Sequence, residues 1–325
     1  MKAIVYRRYG TPDVLELAEV SKPIPHANEV LVRAHAACLN SWDVDFLKGA
    51  SFMARVWGGL RRPKHPILGT DIAGEVEAVG EQVTTFHPGD VVFGEVSKRF
   101  LSIGWGAFAE YACVRENSMA IKPPSMTFEE AASIPQVAAL ALGGLRYNED
   151  IQPTQSVLIN GAEGGVGTFA IQIAKTFGAE ITGVGHTDKL DILRSIGADR
   201  ITDYTQEGVT QNDQRYDLIR DVAAYRPPLD YKRALSRRGA YCVIGGSQAR
   251  FFQTMFLGLL VRLFSRKKVG TVGANPNGGV DFILKLFEAG KIVPVIDQRD
   301  PLSEVAEAFR YFGEGGVKGK IAITI

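Results

Sequence analysis

The sequence predicts an α/β protein that joins a β-rich domain to a doubly wound parallel-sheet domain. Three observations carry that reading. The first part of the chain holds closely spaced short strands with turn signals. Residues 157–184 read as strand, glycine turn, helix and strand. Regular βα alternation then continues beyond residue 184. With 325 residues the chain is long enough for two cores.

The elements follow in order. MKAIVYRRYG reads as a strand running into a turn and lacks the apolar core of a signal peptide. Glu29 to Ala37 alternates apolar and polar residues, Ile72 to Val79 has the same texture, and Gly89-Asp90 turns into Val91-Val92-Phe93. Pro123-Pro124 breaks this pattern, and the alanine- and leucine-rich run Phe128 to Leu145 reads as helix. Strands are expected at Glu180 to Val184, Arg200 to Asp203, Asp217 to Val222, Ala240 to Ile244 and Val269 to Val272, separated by helices. One more helix, Val280 to Ala289, precedes short β segments at Val293 to Ile296 and Lys320 to Ile325.

The stretch VLINGAEGGVGTFAIQIAKTFGAEITGV is the most informative. Val157-Leu158-Ile159 is a short apolar strand, and Ala170, Ile171, Ile173, Ala174 and Phe177 make one helical face. Between them Glu163, Gly164, Gly165, Val166 and Gly167 form a turn with little side-chain bulk. Gly164 and Gly165 leave room for a diphosphate, and Gly167 allows close helix–strand packing. The helix N-terminus then offers free N–H groups to phosphate oxygens, so this turn is a dinucleotide site.

Composition narrows the partners. The 37 basic and 36 acidic residues nearly cancel, which gives no support for nucleic acid. Cys38, Cys113 and Cys242 form no C-x-x-C pair and read as small residues of a reducing, cytoplasmic compartment. The most apolar segment, Phe251 to Phe264, is interrupted by Gln253 and Arg262 and is too short to span a bilayer.

Several local signatures join this order of elements: GTDIAGEVEAVGEQVTTFHPGD at 69–90, GAFAEY at 106–111, GAEGGVG at 161–167 and GKIVPVIDQRDPLSEVAEAF at 290–309. Together they resemble the medium-chain dehydrogenase/reductase superfamily, and within it the zinc-free quinone oxidoreductase branch, which includes alkenal/alkenone reductases. The resemblance implies a GroES-like catalytic domain from 1–123 with 274–325 and a Rossmann domain at 124–273. It also implies a homodimer joined through the edge strand near Val269 to Val272.

In zinc-dependent relatives a cysteine ligand stands where this chain has Asn40, and a histidine ligand stands where it has Thr70. The four-cysteine lobe would fall near Ser97 to Trp105, where the sequence has no cysteine. An amide and a hydroxyl are poor zinc ligands, so no metal is expected. Without a Lewis acid, oxidation of a plain alcohol is disfavoured, whereas hydride addition to an electron-poor C=C bond or a quinone needs only a hydrogen-bond donor for the developing oxyanion. Asn40 is that catalytic donor or, equally, a strand-end cap. Thr70, Phe46 and Trp57 are candidate substrate contacts. Phe46 stands near where other relatives place a tyrosine.

The second βα strand ends at Val184 without an acid, followed by Gly185, His186, Thr187, Asp188 and Lys189. Gly185, His186, Thr187 and Lys189, with Tyr204, point to NADPH in preference to NADH, although Asp188 departs from the basic residue usual in relatives. Val222 and Ala223 after the fourth strand and Gly245-Gly246 after the fifth should line the cofactor crevice. By resemblance Ala274 and Asn275 should approach the nicotinamide, and Leu140 replaces a threonine that touches its carboxamide. Residues 50–66 and 250–268 read as a greasy lid for a lipophilic enone or quinone, as packed core and surface loop, or as a membrane-surface contact. An enoyl-thioester reductase using Arg55, Arg61, Arg62 and Lys64, and a non-catalytic NADPH-binding protein, are the alternatives.

Overall fold

The computed structural model describes residues 1–96, 106–147, 151–210, 214–264, 267–273, 275 and 277–325. The chain divides into two units. The first comprises Met1–Gln136, Ala274–Val280 and Ile296–Ile325, and the second Val137–Gly273 and Asp281–Val295.

In the first unit β1 (Lys2–Val5) pairs with β2 (Glu16–Glu19). The strands β3 (Glu29–Cys38), β4 (Asp71–Val79), β5 (Val91–Glu95), β6 (Tyr111–Arg115) and β7 (Met119–Ile121) follow, with α1 (Ser41–Lys48) and α2 (Phe52–Gly58) between β3 and β4. Asn40 is extended at the start of α1, and its N–H donates to the Asp43 carboxylate at 2.8 Å, which satisfies one orphan donor. Gly49 closes the helix in the left-handed region at φ 53°. After β7 come α3 (Phe128–Ala132) and α4 (Pro135–Leu145). Thr127 and Glu130 cap α3 reciprocally.

The second unit runs β8 (Ser156–Asn160), α5 (Gly165–Thr176), β9 (Glu180–Gly185), α6 (Leu190–Ser195), β10 (Arg200–Asp203), β11 (Tyr216–Asp221), β12 (Leu235–Val243), α7 (Gln248–Phe264) and β13 (Lys268–Thr271). Its strands are all parallel in the order β10-β9-β8-β11-β12-β13. The order reverses between β8 and β11, so their C-terminal ends form the switch point where such sheets take ligands. The chain closes with α8 (Val280–Glu288), β14 (Ile296–Pro301), α9 (Val305–Gly313) and β15 (Lys320–Thr324). In the first unit β14-β15-β3-β4-β5-β7 form one sheet, and β6 also pairs with β3. Val30, Val32, Ile72, Val92, Phe108 and Phe309 are among the buried residues of its core. Leu158, Val184, Ile219, Tyr231, Tyr241 and Val243 are buried together in the second unit.

Three sequence expectations are corrected. The helix expected over 128–145 is two helices, broken before Pro135, which has no N–H to continue the first. The strand expected at 293–296 begins only at Ile296 and runs to Pro301; Pro294 lacks a donor, and Val293 is instead held by Gln172 through two hydrogen bonds of 2.8 and 3.0 Å. The unit boundaries also differ from 123/124 and 273/274. Phe128 stacks on His35 at 4.3 Å and the Gln136 N–H donates to Asp71, which ties this stretch to the first unit. Phe282 of α8 stacks on Phe177 at 5.9 Å, which ties α8 to the second.

Candidate active site

In the second unit the sequence-expected turn has the backbone a diphosphate needs. Gly161 is in the left-handed region at φ 76°, and Gly164 stands at the N-cap of α5. The first helical bond runs from the Thr168 N–H to the Gly164 carbonyl at 2.9 Å, so the N–H groups of Gly165, Val166 and Gly167 precede the helix's own acceptors. A Cβ on Gly164 would meet nothing nearer than the Gly161 oxygen at 3.7 Å, so the space above it is open. A Cβ on Gly167 would meet the Gly161 oxygen at 2.4 Å, so that glycine serves packing. The other strand ends gather here too: a Cβ on Gly161 would meet Ala223, and one on Gly246 would meet the Ala223 carbonyl, at 3.0 and 1.8 Å. A Cβ on Gly245 would meet the Val222 carbonyl oxygen at 2.8 Å.

Asp221 organises this crevice from beneath. It accepts from Asn160 Nδ2 at 2.7 Å, from the Tyr241 hydroxyl at 2.8 Å and from the Ala224 N–H at 2.7 Å. Burial pushes its carboxyl above the usual carboxylate range, while these hydrogen bonds pull it back. The sequence carries no periodic signal for this network, because its members come from three separate strands and the loop after β11.

At the end of β9 the structure brings Gly185, His186, Thr187 and Tyr204 together. The Tyr204 N–H donates to the Gly185 carbonyl at 3.2 Å, and the His186 and Tyr204 rings meet edge-on at 5.8 Å. Two of the side chains expected for a phosphate have partners within the chain. Thr187 Oγ1 donates to Asp203 at 2.5 Å, and His186 Nδ1 accepts from the Asp188 N–H at 3.3 Å, with the Asp188 carboxylate 3.5 Å away. The Lys189 N–H donates to the His186 carbonyl at 2.9 Å. Asn275 is exposed, and its carbonyl accepts from the Gly278 N–H. Ala274 lies outside the described residues, as does the segment 97–105.

In the first unit Asn40 and Thr70 are brought together at the adjoining ends of β3 and β4. Asn40 Nδ2 donates to Thr70 Oγ1 at 3.0 Å and to Asp71 Oδ2 at 2.8 Å, while Asn40 Oδ1 accepts from Lys320 Nζ at 2.5 Å. A donor-only ammonium on one side and an acceptor-only carboxylate on the other fix the amide's orientation. Lys320 Nζ also lies 3.5 Å from Asp71 Oδ2. Asn40, Asp43, Thr70, Asp71 and Lys320 are all buried. Burial raises the Asp71 carboxyl, opposed by Lys320 and by the Asn40 hydrogen bond. Burial likewise pushes Asp43 up to about 7, although the Asn40 and Gly69 N–H groups favour its charged form.

The Asn40 backbone caps α1, and its side chain centres a polar cluster. Its two amide hydrogens are engaged, whereas the Thr70 hydroxyl accepts from it and retains its own hydrogen to give. Asp43, Asp71 and Lys320 were not anticipated. For Asp71 and Lys320 the only signal is a charged residue entering otherwise apolar strands, as in DIAGEV and KIAIT.

Phe46 is buried in the first unit's core, and Trp42 stacks between Phe46 at 6.0 Å and Trp57 at 6.4 Å. Arg55 donates to the Gly49 carbonyl at 2.6 Å and covers the Tyr9 ring, so it is not available to a carrier phosphate. The Phe52 and Met53 side chains lie outside the description. Helix α7 exposes Phe252, Met255, Phe256, Leu259 and Leu260. Near its end Lys267 donates to the Lys232 and Leu235 carbonyls. Among the described residues no helix is long and apolar enough to cross a membrane.

The chain matches the family model described as alcohol dehydrogenase GroES-like domain over residues 26–125, and that described as zinc-binding dehydrogenase over 196–323. It is 32% identical to the NADPH-dependent alkenal/one oxidoreductase, chloroplastic, of Arabidopsis thaliana, across 99% of this chain and 79% of that protein. It is 31% identical to the chloroplastic quinone-oxidoreductase homolog of Spinacia oleracea, across 99% of this chain and 98% of the relative. The chain belongs to the quinone oxidoreductase-like medium-chain dehydrogenase/reductases. Its fold superposes on the quinone oxidoreductase of Coxiella burnetii with a TM-score of 0.88 at 24% identity, covering 100% and 99% of the two chains.

Members of this family imply a nicotinamide dinucleotide, and some imply zinc. The residues here fit the first. The open space over Gly164 and the unshared N–H groups of α5 match a diphosphate. The donor set does not fit zinc. Cys38 is buried and its thiol is pushed up to about 12, the next positions are an amide and a hydroxyl, and the Lys320 ammonium adds positive charge to the same cluster. Among the described residues no three His, Cys, Asp or Glu side chains converge in a metal-binding group.

Proposed function

We propose that the protein is a metal-independent reductase that transfers hydride from a reduced nicotinamide dinucleotide to an α,β-unsaturated carbonyl or a quinone. The observation that carries this reading is the Lys320–Asn40–Thr70 chain, a cation with directed hydrogen bonds that includes the two positions where the resemblance puts the zinc ligands of other relatives. The dinucleotide, when bound, supplies the hydride. The chain's own residues hold the diphosphate at Gly164–Gly167 and the acceptor's oxygen in the first unit.

Thr70 is the donor we assign to that oxygen. Lys320 donates to the Asn40 oxygen, which polarises the amide, and Asn40 in turn donates to Thr70 Oγ1. Each bond strengthens the next in a low-dielectric setting. The Thr70 hydrogen then stabilises negative charge as it develops on an enolate or phenolate oxygen. Asn40 is thus a positioning residue, with Lys320 and Asp71 fixing its orientation. The first unit supplies the catalytic residues and the second the nucleotide site.

On sequence alone the lack of a carboxylate at Gly185 supports NADPH; the position of Glu163 bears on that choice below. The buried thiols of Cys38 and Cys242 suit the cytoplasm. Strand β13, an edge strand with one neighbour, suits a homodimer contact. A lipophilic enone or quinone is the substrate class, with neither nucleic acid nor a membrane surface as a partner.

The test follows oxidation of NADH and NADPH by the purified chain with enones, quinones and enoyl thioesters, before and after dialysis against a strong chelator. Turnover of enones or quinones that survives chelation is expected. Tight nucleotide binding without turnover of any acceptor would instead mark a binding protein.

A further inference from the structure

The turn between β8 and α5 carries a charge that its surroundings leave unsatisfied. Glu163 Oε2 is buried from solvent and has no hydrogen-bond partner. That oxygen lacks the hydrogen bond water would give it in the open, and a donor from outside the chain would supply one. The side chain has a defined seat. It lies against Gly185, where an added Cβ would stand 3.3 Å from Oε2 and 3.5 Å from Cδ. It is also near enough to Tyr204 for its charge, after burial, to raise that phenol's pKa.

Gly185 is the last residue of β9, the strand next to β8. In sheets of this order a nucleotide on the glycine turn brings its adenosine ribose to the end of that strand, where a carboxylate accepts from the ribose hydroxyls. Here the strand end has none, but the turn itself sends one there. The neighbouring corner is acidic as well: Asp203 holds Thr187, and Asp188 lies beside His186. A 2′-phosphate, with about −1.5 to −2 charge, would sit against this carboxylate rather than in a basic pocket.

We propose that Glu163 sets cofactor choice: its carboxylate accepts from the ribose 2′-hydroxyl, so the protein prefers NADH and disfavours NADPH. The proposal rests on reading the second unit as a dinucleotide site, and it reverses the NADPH expectation drawn from Gly185 alone.

The test is calorimetric or fluorescence titration of the full chain with NADH and with NADPH, in the absence of any acceptor, for the unaltered protein and for Glu163→Gln. The unaltered protein should bind NADH at least about tenfold tighter than NADPH. Glu163→Gln should bring the two to within about threefold, chiefly through tighter NADPH. Equal or tighter binding of NADPH by the unaltered protein overturns the proposal while leaving the dinucleotide site intact. So does a Glu163→Gln ratio that does not move. Binding of neither nucleotide overturns both the proposal and the site on which it rests. Where Glu163→Gln folds poorly, Glu163→Ala gives the same comparison with the same two outcomes, and NADPH binding as tight as NADH in the unaltered protein overturns the proposal without any variant.

Discussion

Lys320 shows how a buried charge is made tolerable. Its ammonium donates to Asn40 and lies beside Asp71, so neither member of the ion pair is uncompensated. Removing one partner of such a pair strands the other, and Lys320→Met should destabilise the fold by about 3–5 kcal/mol in urea melts. Adding Asp71→Asn should recover part of that loss, and simple additivity of the two substitutions would contradict the pairing. Asp43 makes a pH prediction. Its folded carboxyl titrates at about 7, above the unfolded value of about 3.9. The folded state therefore keeps a proton that the unfolded chain has lost, and stability from this group is greatest below about pH 4, falls as pH rises through that window, and levels off above about 7. The stability of the unaltered protein relative to Asp43→Asn should fall by up to about 1.4 kcal/mol per pH unit there; parallel curves would contradict it. Asn40 and Thr70 were legible because they occupy recognisable motif positions. Lys320 was not, because it meets Asn40 across 280 residues of sequence and no local pattern records that meeting.

At the scale of elements, the glycine turn and α5 separate fold from ligand. Gly164→Ala adds a methyl to open space and should leave the urea midpoint unchanged within about 0.5 kcal/mol, yet weaken dinucleotide binding about tenfold or more. Gly167→Ala drives a methyl into the Gly161 carbonyl and should lower stability and binding together. Equal effects of the two substitutions on stability would contradict this division. The turn, α5 and the parallel strands were readable from periodicity and punctuation. The break at Pro135 is written in the proline itself, set among good helix formers on either side. Strand β14 was misplaced because its sequence, IDQRDP, is polar, whereas the apolar run just before it contains Pro294. In both places a proline's missing N–H overrode the surrounding pattern.

At the scale of the whole molecule, composition and element order were enough for the two-part α/β architecture. The exchange of segments between units was not, since Phe282 on Phe177 and Phe128 on His35 are side-chain contacts without sequence periodicity. If β13 joins two copies, sedimentation should give twice the 35.4 kDa chain mass, and a charged substitution on that strand should release the single chain. The reduction proposed above takes its donor from the first unit and its nucleotide turn from the second, and calls for no metal. Thr70→Val should lower kcat for enones by about 100-fold while leaving nucleotide affinity unchanged. The most direct test supplies the chelated protein with a reduced dinucleotide deuterated at the transferred position of C4 and with an α,β-unsaturated ketone. Deuterium on the β-carbon of the saturated product, formed at the unchelated rate, is the predicted result. Loss of turnover on chelation with recovery on added zinc, or product without the label, would contradict it.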